Sequence, residues 1–109
     1  MWLITTRGFY SVVEHRSDPE RLIVRARRRE DLEALAELIP DLEIFSDRRA
    51  DYRWRAVVAR AEWALAVAQL AAEIDYSNFK SAVGQRQDDE RAGLYAEVWR
   101  VLYGLQEKE

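Results

Sequence analysis

Cysteine is absent from this sequence of 109 residues, and His15 is its only histidine. Disulfides, thiolate metal sites, iron–sulfur clusters and cysteine nucleophiles are excluded together, and one histidine cannot build a multi-histidine site within a chain. Glycine and proline are scarce, at 4 and 2 residues, which excludes collagen-like and low-complexity classes. Long apolar runs are missing too. The opening Met1-Trp2-Leu3-Ile4-Thr5-Thr6-Arg7 has only a few consecutive apolar side chains, where a secretory leader needs about 7–15 and a membrane helix about 20. A cytoplasmic location without membrane contact is the expectation. Lysine is nearly absent, with 2 residues against 15 arginines.

What is present is 49% apolar and 34% charged residues, the composition of an ordered globular chain, and the length suits one domain over residues 1–109. The net charge is -3. The first 60 residues hold 12 arginines and 11 acids, the remainder 5 basic groups and 9 acids, so the acidic excess belongs to the second half.

Trp2 to Glu14 is rich in β-branched and aromatic residues and reads as one long strand bulged at Gly8 or as two short strands. Ser17-Asp18-Pro19-Glu20 is a turn. Beyond it, Leu22, Val24 and Ala26 alternate with Arg21, Ile23, Arg25 and Arg27, the pattern of a half-buried antiparallel strand. Leu32, Leu35, Ala36 and Ile39 recur at helical spacing, with Glu30 and Asp31 in the first turn and Pro40 as terminator. Leu42 to Phe45 is a short strand. Asp51 to Ala59 alternates again, Tyr52, Trp54, Ala56 and Val58 against Arg53, Arg55 and Val57.

From Ala61 onward the period is helical. Trp63, Val67, Leu70 and Ile74 form one stripe; Asp75 is placed to cap a short helix carrying Tyr76, Phe79 and Val83 and ending at Gly84; the last helix opens at Asp88-Asp89-Glu90 with Leu94, Val98, Val101, Leu102 and Leu105 as its core stripe. Strands first and helices last define an α+β fold: a small, mostly antiparallel sheet of three to four strands, helices packed on one face, and a helical C-terminal half. The opposite sheet face is then arginine-rich.

Two surfaces are candidates for function. Arg25 and Arg27 on one strand stand near Arg53 and Arg55 on another, together with Tyr10; guanidinium groups pair bidentately with phosphate or carboxylate and stack on flat rings. On the last helix, Tyr95, Trp99 and Tyr103 follow each other at i, i+4 and i+8, displaced from the aliphatic stripe, so a second element or a partner must cover them. Enzyme signatures are missing: there is no phosphate-binding glycine loop, nucleophile elbow or His-x-x-x-His pair, and nothing implies a cofactor or metal.

The blocks Arg7-Gly8-Phe9-Tyr10-Ser11-Val12-Val13, Val24-Arg25-Ala26-Arg27, Ala50-Asp51-Tyr52-Arg53-Trp54-Arg55 and Ile74-Asp75-Tyr76-Ser77-Asn78-Phe79-Lys80, with Trp99 near the end, resemble a family of short uncharacterised bacterial proteins. That resemblance implies a self-contained domain and no activity. Three readings follow. The first is a noncatalytic protein-interaction or regulatory module that binds a partner or itself through the arginine face, the aromatic helix, or both. The second is nucleic-acid binding on the sheet, and the third an enzyme holding a small anionic metabolite with the arginines.

Overall fold

A computed structural model describes all 109 residues. The chain divides into two compact units, Met1–Asp75 and Tyr76–Glu109. The first contains β1 (Trp2–Ile4), β2 (Phe9–Glu14), β3 (Arg21–Ala26), α1 (Arg29–Leu35), β4 (Phe45–Ser46), β5 (Trp54–Ala59) and α2 (Arg60–Ala72). The second contains α3 (Phe79–Arg86), α4 (Asp89–Leu102) and the single turn α5 (Gly104–Glu107). The fold is α+β with a helical C-terminal region.

All strands join one antiparallel sheet in the order β1-β2-β3-β5-β4, five strands where the sequence suggested three to four. The extra strand comes from the first stretch, which is divided at Thr5 to Gly8: the Thr5 N–H and hydroxyl both donate to the Gly8 carbonyl, at 2.9 and 3.0 Å. Gly8 is thus part of a turn and not a bulge, and it has no positive φ. The turn before β3 forms at the expected place, where Arg21 N–H donates to the Asp18 carbonyl at 3.1 Å. Arg60, the first residue of α2, clamps this hairpin by donating to the Pro19 carbonyl and the Glu14 carboxylate, each at 2.7 Å.

One sheet face buries Tyr10, Val12, Leu22, Val24, Ala26, Ala56 and Val58 against Leu32, Leu35 and Ile39 from α1 and the turn after it, and Trp63 and Ala66 of α2. Period-two alternation in the strands and helical spacing in α1 and α2 supply the two halves of this core. The α2 stripe runs Trp63, Ala66, Leu70, whereas Ile74 lies beyond the helix end and is exposed.

Asp31 and Arg7 tie the helices to the β1–β2 turn. Asp31 is buried on the third residue of α1, where its carboxylate accepts from Phe9 N–H at 3.0 Å while its carbonyl accepts from the Tyr10 hydroxyl at 2.7 Å. The sequence marked it only as a helix-dipole residue. Arg7 forks onto Glu73, with Nε donating to Oε2 at 2.9 Å and Nη2 to Oε1 at 2.7 Å, and reaches the Ala34 carbonyl and Glu37 through Nη1. Hydrogen bonding to Glu73, opposed by partial burial and aided by Glu37, raises the Arg7 guanidinium above the ordinary arginine range.

In the second unit the cap of α3 is Asn78, whose side chain accepts from Ser81 N–H at 2.9 Å; Asp75 lies too far upstream, and Gly84 is interior to the helix instead of ending it. Asp88 caps α4 by accepting from Arg91 N–H at 2.6 Å. The packing of α3 on α4 is aromatic, with Phe79 stacked on Tyr95 at 6.0 Å between centroids.

Candidate binding surfaces on the sheet and the last helix

The antiparallel register sets the sheet face opposite the core. Trp2 pairs with Ser11, Ser11 with Arg25, Arg25 with Arg55, and Arg55 with Phe45, so one residue row crosses all five strands. Beside it runs the apolar row Val13, Ile23 and Val57. No strand position on this face is acidic. Glu14, the one acid within the strands, has the opposite parity and pairs with Arg60.

Like charges directly across a ladder repel, so something must hold Arg25 and Arg55 in place. Neutral acceptors do. Arg25 donates to the Ser11 hydroxyl at 2.7 Å, Arg27 to the Asp51 carbonyl at 2.8 Å, and Arg55 to the Tyr52 carbonyl at 3.3 Å. The buried Tyr52 ring adds a flat electron-rich surface: the Arg25 and Arg27 Cζ atoms lie 4.8 and 4.3 Å from its centroid. Phe9 meets the same ring edge-on at 6.2 Å and Trp2 meets Phe9 at 5.9 Å, extending an aromatic line toward β1. None of Arg25, Arg27, Arg53 and Arg55 has an ion-pair partner.

The structure therefore brings together Arg25, Arg27 and Arg55 as expected, and leaves out two of the residues grouped with them. Tyr10 has 0% exposure on the core face, because its place in β2 gives it the parity of Val12, the opposite of Ser11. Arg53 precedes β5 and lies over the Trp54 ring at 4.8 Å, which it shares with Arg29 at 5.2 Å. Tyr52 corrects the reading in the other direction. Alternation carried it to the core side, but the strand begins only at Trp54, so parity does not extend to it, and it turns beneath the arginines instead. Phe9 and Ser11 have a legible parity with Val13; the alignment of Trp2 and Phe45 on the same row depends on register between strands and has no local signal.

On α4 the expected core stripe is largely uncovered. Leu94, Val98, Val101, Leu102 and Leu105 are exposed, between 37% and 71%. The aromatic line splits. Tyr95 is half-buried against Phe79 and accepts from Arg91 Nη1 at 3.1 Å, while Trp99 and Tyr103 pack on each other at 5.8 Å and remain 69% and 45% exposed. The covering partner of α4 is thus α3, and it covers the Ala92 and Tyr95 side. A groove of about 630 Å³ between the two helices is lined by Phe79, Tyr95 and Trp99 with Lys80 and Arg100 at its polar margin.

Neither surface assembles a nucleophile and base. The Ser11 hydroxyl is buried and accepts from Arg25, and His15 accepts from Ser17 N–H in the turn. No helix is long and apolar enough to cross a membrane. Comparison with protein families, with curated proteins and with solved structures finds no match for the chain.

Proposed function

We propose that this protein is a noncatalytic interaction module that pairs with a second copy of itself through the exposed face of α4 and α5. One observation carries the reading: Leu94, Val98, Trp99, Val101, Leu102, Tyr103 and Leu105 all stand in solvent within the last two helices. Large apolar side chains gathered on one helical surface in this way mark an interaction site more often than a solvated face, and a standard interface takes about 800 Å² from each partner.

The spacing favours a helical partner of the same kind. Leu94, Val98, Val101 and Leu105 follow at intervals of four, three and four residues, the a/d spacing that lets two helices interdigitate. Such a seam is self-complementary, as a two-fold pair requires. Trp99 and Tyr103 flank it with large area and few rotors.

Size-exclusion chromatography with light scattering tests this. The expected result is a dimer at about 100 μM, converted to monomer by Val101→Glu and weakened by Trp99→Ala, both at exposed positions where the fold tolerates change. A wild-type protein that stays monomeric at that concentration overturns the self-association.

A further inference from the structure

We infer that the arginine face of the sheet is a second, independent binding site, and that its ligand is single-stranded nucleic acid. The argument begins with charge. The chain as a whole is acidic, at -3, yet Arg21, Arg25 and Arg55 lie at outer-face strand positions with Arg27 following directly, and no acid shares those strand positions. Opposed guanidiniums that no carboxylate ion-pairs repel one another across the ladder, and a phosphate ligand lowers that energy.

The guanidiniums are also oriented in advance. Main-chain carbonyls, the Ser11 hydroxyl and the Tyr52 ring hold them, and of the five N–H groups on each, Arg25 uses two while Arg27 and Arg55 use one each. The remaining donors are available to phosphate oxygens. An ion pair would have consumed them.

The flanks distinguish a nucleic acid from a simple anion. Trp2 and Phe45 end the same cross-strand row and are 71% and 46% exposed. Four strand spacings of about 4.8 Å put them roughly 19 Å apart. An extended single strand crossing the sheet meets an aromatic surface at each edge and guanidiniums between, the combination that binds bases by stacking and phosphates by charge. A duplex keeps its bases stacked internally and gains nothing from Trp2 and Phe45.

Fluorescence anisotropy of the full chain with a labelled 12-nucleotide oligo-uridine, a thymidine oligomer and a duplex provides the test. Binding of a single strand at about 50 mM salt is expected, with a log–log salt slope near -2 for three neutralised phosphates, or about a 20-fold loss by 200 mM. Arg27→Ala and Arg55→Ala should each weaken binding and flatten the slope by about 0.7. Trp2→Ala should weaken it roughly 10-fold with the slope unchanged. Arg27 and Trp2 are exposed, so those variants keep the fold, which circular dichroism verifies. Val101→Glu should retain full binding per chain, which separates this site from the α4 pairing. No binding to either single strand, binding insensitive to Arg27→Ala and Trp2→Ala, tighter binding of the duplex, or preference for a poly-glutamate peptide overturns the inference; the last result would assign the face to an acidic protein.

Discussion

The Cα of Gly8 rests against the side chain of Asp31: a methyl group built there would stand 2.5 Å from Cγ and 2.7 Å from Cβ of that residue. Since Gly8 has no positive φ, its role is closeness alone. Gly8→Ala should therefore cost about 2–3 kcal/mol, by pushing α1 away from the turn and stretching the Phe9 to Asp31 hydrogen bond. Gly93 is the internal control. It lies exposed within α4 with nothing within 4 Å of a built Cβ, so Gly93→Ala should stabilise by about 0.5–1 kcal/mol. Thermal unfolding of the two variants should move in opposite directions.

The Arg7 fork should distinguish charge from shape. Its side chain and that of Glu73 are 22% and 23% exposed, so Arg7→Ala should lower stability by about 2 kcal/mol, and Arg7→Lys, which keeps the charge but loses the two parallel donors, by about 1 kcal/mol. The folded-state pKa is raised, so the contribution from Arg7 is complete below its unfolded value and is lost only as pH rises through the folded value, in the strongly alkaline range. The difference in unfolding temperature between wild type and Arg7→Ala should accordingly stay constant between about pH 7 and 10.

Tyr52 acts through its ring. Tyr52→Phe should leave stability within about 0.5 kcal/mol, whereas Tyr52→Ala should cost about 3 kcal/mol from the lost burial alone. The same substitution removes the surface that Arg25 and Arg27 lie on. Chemical denaturation measures the first effect, and the side-chain Nε resonances of the two arginines, broadened in Tyr52→Ala and sharp in Tyr52→Phe, report the second.

The cap assignment in the second unit is testable by helicity. Asn78→Ala should cost about 1 kcal/mol and reduce the ellipticity at 222 nm before the main transition, and Asn78→Asp should retain the cap. An unaffected melting curve for Asn78→Ala would contradict the assignment.

Much of the first unit is legible without coordinates because its signals are local. Alternation in Arg21–Ala26 and Trp54–Ala59 follows from the pleat, which sends successive side chains to opposite faces. The helical spacing of Leu32 and Leu35 in α1, and of Trp63 and Leu70 in α2, likewise reflects backbone geometry, whereas α1 ends at Leu35 instead of running to Pro40 and Ile39 reaches the core from the turn after it. The same rule fails where an element is assumed to be longer than it is. Tyr52 lies two residues before β5, out of reach of that strand's parity, and Tyr10 shares the parity of Val12, opposite to that of the arginines. On α4, amphipathic spacing identified apolar positions, but spacing alone does not say whether another part of the chain covers them.

By itself the sequence determined the α+β class, the helical C-terminal region, the outward parity shared by Arg25 and Arg55, and the apolar periodicity of the last helix, all consequences of how side chains project from one segment. Only the tertiary structure decided that Arg25 stands opposite Arg55, that Trp2 and Phe45 end their row, that Tyr52 lies beneath the guanidiniums and that Asp31 is buried against Gly8. Those relations join residues far apart in the chain, and their geometry is fixed by strand register and helix docking, which minimise the energy of the whole assembly and leave no trace in any single segment.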